Sequence, residues 1–170
     1  MNIPILYSFR RCPYAMRARM ALILASKDCE LREITLKNKP DEMLQISAKG
    51  TVPVLELPNK VLEESLDIIS WAMESHPKSV YILSNEDKLM TKILIQLFDS
   101  KFKYHLDRYK YASRYKANFS EHRDECKNIL EKLDSKINAS PWIFGKKVSL
   151  LDISILPFIR QCKIANPEWF

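Results

Sequence analysis

The chain has 170 residues, 46% of them hydrophobic and 28% charged, with a formal charge of +6 at pH 7. That length can bury a sizeable core in one domain or two small ones, and the balance, without low-complexity tracts, excludes disordered and fibrous classes. No apolar run approaches the roughly 20 residues of a membrane span, and residues 1–20 lack the order of a signal peptide, so a cytoplasmic setting away from membranes is expected.

The first 75 residues alternate strand, helix, strand, helix, strand, strand, helix, which is an α/β arrangement. Ile3 to Tyr7 is a short apolar strand. Pro13 stands in the first turn of a helix, where a missing N–H costs nothing, and this helix runs to about Lys27. Leu31 to Leu36 is a second strand with Ile34 and Leu36 on one side. Pro40 opens a short helix carrying Met43, Leu44 and Ile46, which Lys49-Gly50-Thr51 breaks. Val52 to Leu57 is a β-branched run, Pro58-Asn59 a hairpin turn and Lys60 to Leu62 the returning strand. Ser65 is expected to cap the next helix, whose Leu66, Ile69 and Met73 share a face.

Around residue 75 the periodicity changes. The stretch about Pro77, residues 76–84, marks a linker, and 85–170 reads as an all-α domain. Ser84-x-x-Asp87 is an acidic variant of a capping box ahead of a helix to about Tyr115, with Phe98, Phe102, Leu106 and Tyr109 as its apolar seam. Asn118-x-x-Glu121 resembles such a box ahead of a helix to about Ile137. Ser149-x-x-Asp152 heads a helix with Ile153, Ile155, Leu156, Phe158 and Ile159, an apolar content expected of a core helix. Few elements follow the break at Asn166-Pro167 to cover it, so a further C-terminal portion is expected.

Cys12 carries the chemistry. At a helix N-terminus the free N–H groups and the dipole favour an anion, and Arg10 and Arg11 add positive charge, so a depressed thiol pKa and a nucleophilic thiolate are expected. The bland alternative is a buried core cysteine. Ala15 occupies the position of the second cysteine in a Cys-x-x-Cys motif, so a disulfide partner must come from outside, and a small thiol cofactor is the natural candidate. Cys29, Cys126 and Cys162 are scattered and form neither a disulfide framework nor a zinc pattern. His122 and Cys126 lie one helical turn apart without a third ligand and read as structural, so no metal is expected. His76 and His105 have no nearby acid or cysteine partner, which leaves a Cys-His catalytic pair unsupported by sequence.

Taken in order, Cys12-Pro13-Tyr14-Ala15, Leu36-Lys37-Asn38-Lys39-Pro40, Thr51-Val52-Pro53-Val54-Leu55, Glu64-Ser65 and Ser149-x-x-Asp152 make the chain resemble the glutathione transferases. Within them it is similar to the omega-type cysteine transferases and the glutaredoxin-2-like proteins. The resemblance implies a thioredoxin-like α/β domain over 1–75 followed by a helical domain over 85–170. It implies a cis Val52-Pro53 bond, whose backbone pairs with the cysteinyl unit of glutathione as a short added strand. Pro13 and Tyr14 flank the thiol in the glutathione-binding set. Glu64 and Ser65 would take the γ-glutamyl ammonium and carboxylate at a helix N-terminus, and Lys39 the glycyl carboxylate. On local physics alone Pro53 could merely begin a strand, Glu64-Ser65 could be only a cap, and Lys39 a solvated side chain. Ser149 and Asp152 have a folding role on either reading.

The activity implied is glutathione-dependent thiol transfer. Cys12 forms a mixed disulfide with glutathione, a second glutathione releases it, and the acceptors are small or protein disulfides or dehydroascorbate. Conjugation of glutathione to electrophiles should be weak, with Tyr7 and Tyr14 the nearby hydroxyls. The alternative is a non-enzymatic binding or regulatory module of the same fold; a dithiol glutaredoxin is disfavoured by Ala15. The face formed by Tyr104, Arg108, Tyr111 and Tyr115 has three readings: an acceptor-substrate wall, a solvated surface, or a nucleic-acid stripe. The charge is spread along the chain and reads as solubility, so no nucleic-acid partner is expected. The family is usually dimeric, which implies a homodimer.

Overall fold

The structure, a computed structural model, describes residues 3–74, 83–137 and 140–170. The chain divides into two compact units, Met1–Ser79 and Val80–Phe170. Most of the expected linker, 76–84, lies outside the described residues, as does His76.

The first unit runs β1 (Ile5–Ser8), α1 (Pro13–Leu24), β2 (Glu30–Glu33), α2 (Asp41–Ile46), β3 (Val54–Leu57), β4 (Lys60–Leu62) and α3 (Ser65–Met73). Its sheet has the order β2-β1-β3-β4. The β1–β2 pair is parallel and therefore needs the α1 crossover, whereas β1–β3 and β3–β4 are antiparallel. Leu6 lies opposite Leu55 and Tyr7 opposite Val54. Strand alternation therefore sends the first pair to one face of the sheet and the second to the other. Tyr7 and Val54 cluster there with Ile34 and Met43, so α2 covers that face through Met43. Helices α1 and α3 pack on each other. Their buried residues include Ala15, Ala18 and Ala21 on one and Ile68, Ile69 and Ala72 on the other, and the alanines let the two backbones approach closely. This is a thioredoxin-like mixed sheet, as expected.

Three local expectations change. The chain leaves β2 after Glu33 and bridges Thr35 to Asn38, so Ile34 is buried while Leu36 is 48% exposed. The buried face of α3 is Ser65, Ile68, Ile69 and Ala72 rather than Leu66, Ile69 and Met73. Its N-cap position is Glu64, not Ser65.

The second unit is helical: α4 (Asn85–Leu97), a π turn (Phe98–Phe102), α5 (Lys103–Lys110), α6 (Ala112–Tyr115), α7 (Phe119–Asp134) and α8 (Leu150–Ala165). The single helix expected to Tyr115 is interrupted twice, by the π turn and by Tyr111 at φ −125°. The π turn has a packing reason. A regular helix would rotate Leu106 about 80° round from Phe98 over eight residues. The wider turn absorbs that drift, and Phe98, Phe102, Leu106 and Tyr109 are all buried. The Phe98 and Phe102 rings lie 4.5 Å apart, and Phe98 meets Phe158 of α8 edge-on at 6.4 Å.

Capping follows the sequence closely. Ser84–Asp87 and Ser149–Asp152 form reciprocal boxes. Asn118 supplies only its own half, accepting from the Ser120 and Glu121 amides. The Asp152 carboxylate accepts from Ser149 N at 2.8 Å and also from Ile143 N at 3.1 Å, tying the preceding loop to α8. Helix α8 is buried on most sides, with Leu151, Ile153, Ile155 and Phe158 covered, and it packs against α4 and α5. Among the described residues no helix is long and apolar enough to cross a membrane.

Candidate active site around Cys12

Cys12 is the N-cap residue of α1, extended at φ −77° and ψ 121°, with Pro13 next in the helix. Its amide donates to Phe9 O at 3.0 Å, and its carbonyl accepts from Met16 N at 2.9 Å, so the backbone on both sides of the thiol is fixed. The loop between β1 and α1 is held by Arg19. Its guanidinium donates to Ser8 Oγ, to Phe9 O at 3.5 Å and to Arg10 O at 3.1 Å. Burial lowers the Arg19 pKa, while Glu33 and the Cys12 sulfur oppose that shift, so Arg19 stands within electrostatic reach of the thiol. Sequence reasoning named Arg10 and Arg11 and missed Arg19. The signal was present: Arg19 lies seven residues, or two turns, after Cys12, and helix side chains lean toward the N-terminus.

The Cys12 thiol donates to Val52 O at 3.6 Å. The Val52-Pro53 peptide is cis and Pro53 is buried at the head of β3. Ala15, where a dithiol site has its second sulfur, is fully buried. The structure thus brings Cys12, Pro13, Val52 and Pro53 together. Gly50 precedes them at φ +58°, and the Lys39 ammonium lies over it, 3.6 Å from where a Cβ would stand.

At the head of α3, Glu64 makes no side-chain cap and is instead ion-paired with Lys49. Ser65 is buried, and its Oγ accepts from Arg17 Nε at 3.0 Å. Arg17 is only 2% exposed despite its charge, and its guanidinium stacks 5.0 Å from the centre of the Tyr14 ring. Arg17 therefore links Tyr14 on α1 to Ser65 on α3, a second arginine that sequence reasoning missed. By donating to the Ser65 oxygen it leaves the hydroxyl proton available, beside a helix N-terminus suited to a carboxylate. Tyr7 is turned elsewhere: its hydroxyl accepts from Arg32 Nη1 at 3.2 Å, and burial pushes its pKa up against the opposing Arg32 charge.

The remaining candidates belong to the helical unit. His105 does have a partner, His122, with the two Nδ1 atoms 2.8 Å apart. Among the described residues no group of three or more His, Cys, Asp or Glu could hold a metal ion. Arg108 lies 3.5 Å over the Tyr104 ring and 4.9 Å from Tyr115, so the cation of that aromatic face is engaged by its own tyrosines.

Comparison with known proteins shows what the chain is similar to. The model of the glutathione S-transferase N-terminal domain matches residues 6–80. Glutathione S-transferase omega-1 of Rattus norvegicus is 29% identical over 159 residues, covering 91% of this chain and 65% of the rat protein. The chloroplastic glutathione S-transferase L2 of Arabidopsis thaliana is 29% identical over 166 residues, 94% of this chain and 53% of that protein. The chain thus spans between half and two thirds of the length of these relatives. Among solved structures, glutathione transferase Omega 3C from Trametes versicolor superposes with a TM-score of 0.82 over 100% of this chain and 74% of that one, at 21% identity. Residues 6–80 thus match a glutathione S-transferase N-terminal domain, and sequence similarity to glutathione S-transferases continues through the helical unit.

Proposed function

We propose that the chain is a glutathione-dependent thiol transferase of omega type. The observation that carries this reading is the Cys12 thiol at the head of α1, 3.6 Å from Val52 O, with alanine rather than a second cysteine one turn on. A helix N-terminus favours the thiolate, and a lone thiolate completes disulfide exchange only with an external thiol.

In the proposed cycle the Cys12 thiolate attacks the glutathione sulfur of a mixed disulfide, and the acceptor leaves as a thiolate that takes up a proton. A second glutathione thiolate then attacks the Cys12-bound sulfur, releasing oxidised glutathione and restoring Cys12. Dehydroascorbate draws on the same two electrons. Glutathione lies along Val52 as an added strand. Its γ-glutamyl carboxylate meets the Ser65 hydroxyl and the head of α3, its ammonium replaces Lys49 on Glu64, and Lys39 takes the glycyl carboxylate. Pro13 and Tyr14 flank the cysteinyl unit. Conjugation to electrophiles is weak, because Cys12 bonds to the glutathione sulfur instead of activating it.

Intact mass after incubation with oxidised glutathione tests the reading. One glutathione adduct is expected on the wild-type chain and none on Cys12→Ala; an adduct that survives the substitution sinks it. Calorimetric titration separates the alternative, a non-enzymatic module, which would bind no glutathione.

A further inference from the structure

The net charge is unevenly placed. Residues 1–75 hold ten basic and ten acidic side chains, so the whole formal charge of +6 belongs to residues 76–170, and the even spread expected above does not hold. Six basic residues against one acid fall between Lys101 and Lys116, at the end of the π turn and along α5 and α6. That acid, Asp107, is paired with Lys103, and Lys101 is paired with Glu125 of α7. Among the described residues no carboxylate pairs with Arg108, Arg114 or Lys116. The same stretch holds Tyr104, Tyr111 and Tyr115, each between 39% and 49% exposed, while Tyr7 and Tyr109 are buried. The side chains are stacked. The Arg108 guanidinium lies 3.5 Å from the centre of the Tyr104 ring and 4.9 Å from that of Tyr115, and Arg114 lies 5.8 Å from Tyr115. In an unbroken helix residues 108 and 115 stand about 10 Å apart along the axis, with the arginine leaning away. The break at Tyr111 shortens that path. Cations in a last turn offset the helix dipole, which accounts for Arg108, Lys110 and Arg114 one at a time. It does not account for a stack that crosses two helices and leaves three phenols exposed.

We propose that the stack of Tyr104, Arg108, Tyr115 and Arg114, with Tyr111 and Lys116, is a docking surface for an acidic protein segment that presents several Asp or Glu side chains. Guanidinium, ammonium and phenol each offer a donor, and the one carboxylate of the stretch is engaged by Lys103. A partner's carboxylates supply both the acceptors and the opposite charge, and a guanidinium takes a carboxylate in two parallel bonds. Arg108 is set in place before a partner arrives. Its Nη1 donates to Tyr104 O at 3.2 Å while two rings hold its faces, so little rotamer freedom is left to lose on binding. Exposed Tyr and Arg side chains are also the types that carry most of the binding energy at protein–protein interfaces. The nucleic-acid stripe fits less well. Bases stack on open ring faces, and Tyr104 and Tyr115 each already give a face to a guanidinium.

The test titrates a fluorescein-labelled deca-glutamate peptide with the full chain and reads anisotropy, beside an oligo-dT of equal charge carrying the same label. Saturable binding of the peptide is expected, and at lower protein concentration than the oligonucleotide needs. Absence of saturation overturns the proposal, and tighter binding of oligo-dT overturns it in favour of nucleic acid. The triple variant Arg108→Ala, Arg114→Ala, Lys116→Ala should bind the peptide at least about tenfold more weakly. A control triple at exposed positions of the same unit, Lys132→Ala, Lys136→Ala, Lys146→Ala, has the same net charge and should stay within about twofold of wild type. Equal weakening by the two triples means attraction by net charge alone and overturns the docking surface. Tyr115→Ala keeps every charge and removes one exposed ring, so it should weaken binding severalfold without unfolding the chain; wild-type affinity in that variant overturns the stack as the element that recognises the partner.

Discussion

Cys12 and Cys162 are both helical cysteines, and the two units hold them in opposite surroundings. Cys12 caps α1, is partly accessible and faces a backbone carbonyl, with Ala15 one turn on. Cys162 lies within α8 and is fully covered. Access is what separates the two. A partly accessible thiol suits exchange with a small thiol from solvent, whereas a covered one is shielded from it.

Substitution of each cysteine by alanine breaks the comparison most directly. Cys12→Ala should reduce glutathione-dependent thiol transfer at least about 10³-fold, to the level of binding without a nucleophile, while Cys162→Ala should leave it within about twofold. Equal losses in a disulfide-reduction assay would show that the two thiols share one function.

Asp152→Ala asks how far the helical unit serves folding alone. It strips acceptors from Ser149 N, Ser149 Oγ and Ile143 N together. A lost cap and a buried unsatisfied donor destabilise by about 2–4 kcal/mol in combination. Denaturant unfolding should show that loss. Ser84→Ala, in the exposed box at the head of α4, should lose about 1 kcal/mol or less. If the two variants unfold alike, the Ile143 anchor contributes nothing.

What the sequence made legible follows from the range of the interactions. Strand and helix order, both capping boxes and the buried seam of α5 are local in origin, set by patterns of two to four residues. The register between Cys12 and Val52 was legible only through the resemblance, because forty residues separate them. Arg17 and Arg19 escaped notice because basic residues on a helix ordinarily signal solvent. Burial of Arg17 depends on Ser65 and the Tyr14 ring, and the place of Arg19 depends on loop carbonyls that no periodicity marks. The π turn was invisible for a related reason: it corrects a drift that matters only once Phe158 supplies the opposing surface. The His105–His122 contact likewise needs α5 and α7 side by side.

Arg17→Met sharpens the comparison on the side of the first unit. It keeps much of the buried volume but removes the donor to Ser65 Oγ, freeing that hydroxyl to rotate. Glutathione KM should rise about tenfold, equivalent to about 1.4 kcal/mol, with kcat nearly unchanged, since Arg17 acts on binding through Ser65. A fall in kcat at constant KM would assign Arg17 to the thiol instead.

The smallest effect belongs to the helical unit and is read by pH. Burial lowers the His105 pKa from 6.5, the His122 and Lys101 charges lower it further, and Glu125 and Glu121 partly offset them. The unfolded chain therefore binds the His105 proton more readily than the folded one. Stability rises with pH where the unfolded state holds more protons, so the His105 contribution is complete above the unfolded value. It is lost as pH falls through 6.5 toward the lowered folded value. Thermal unfolding at pH 7.5 and pH 5.5 should show the wild-type midpoint dropping further than that of His105→Gln, which keeps a polar side chain but cannot titrate. Parallel drops would mean that His105 binds its proton equally well in the folded and the unfolded chain, so that burial beside His122 costs the imidazolium nothing.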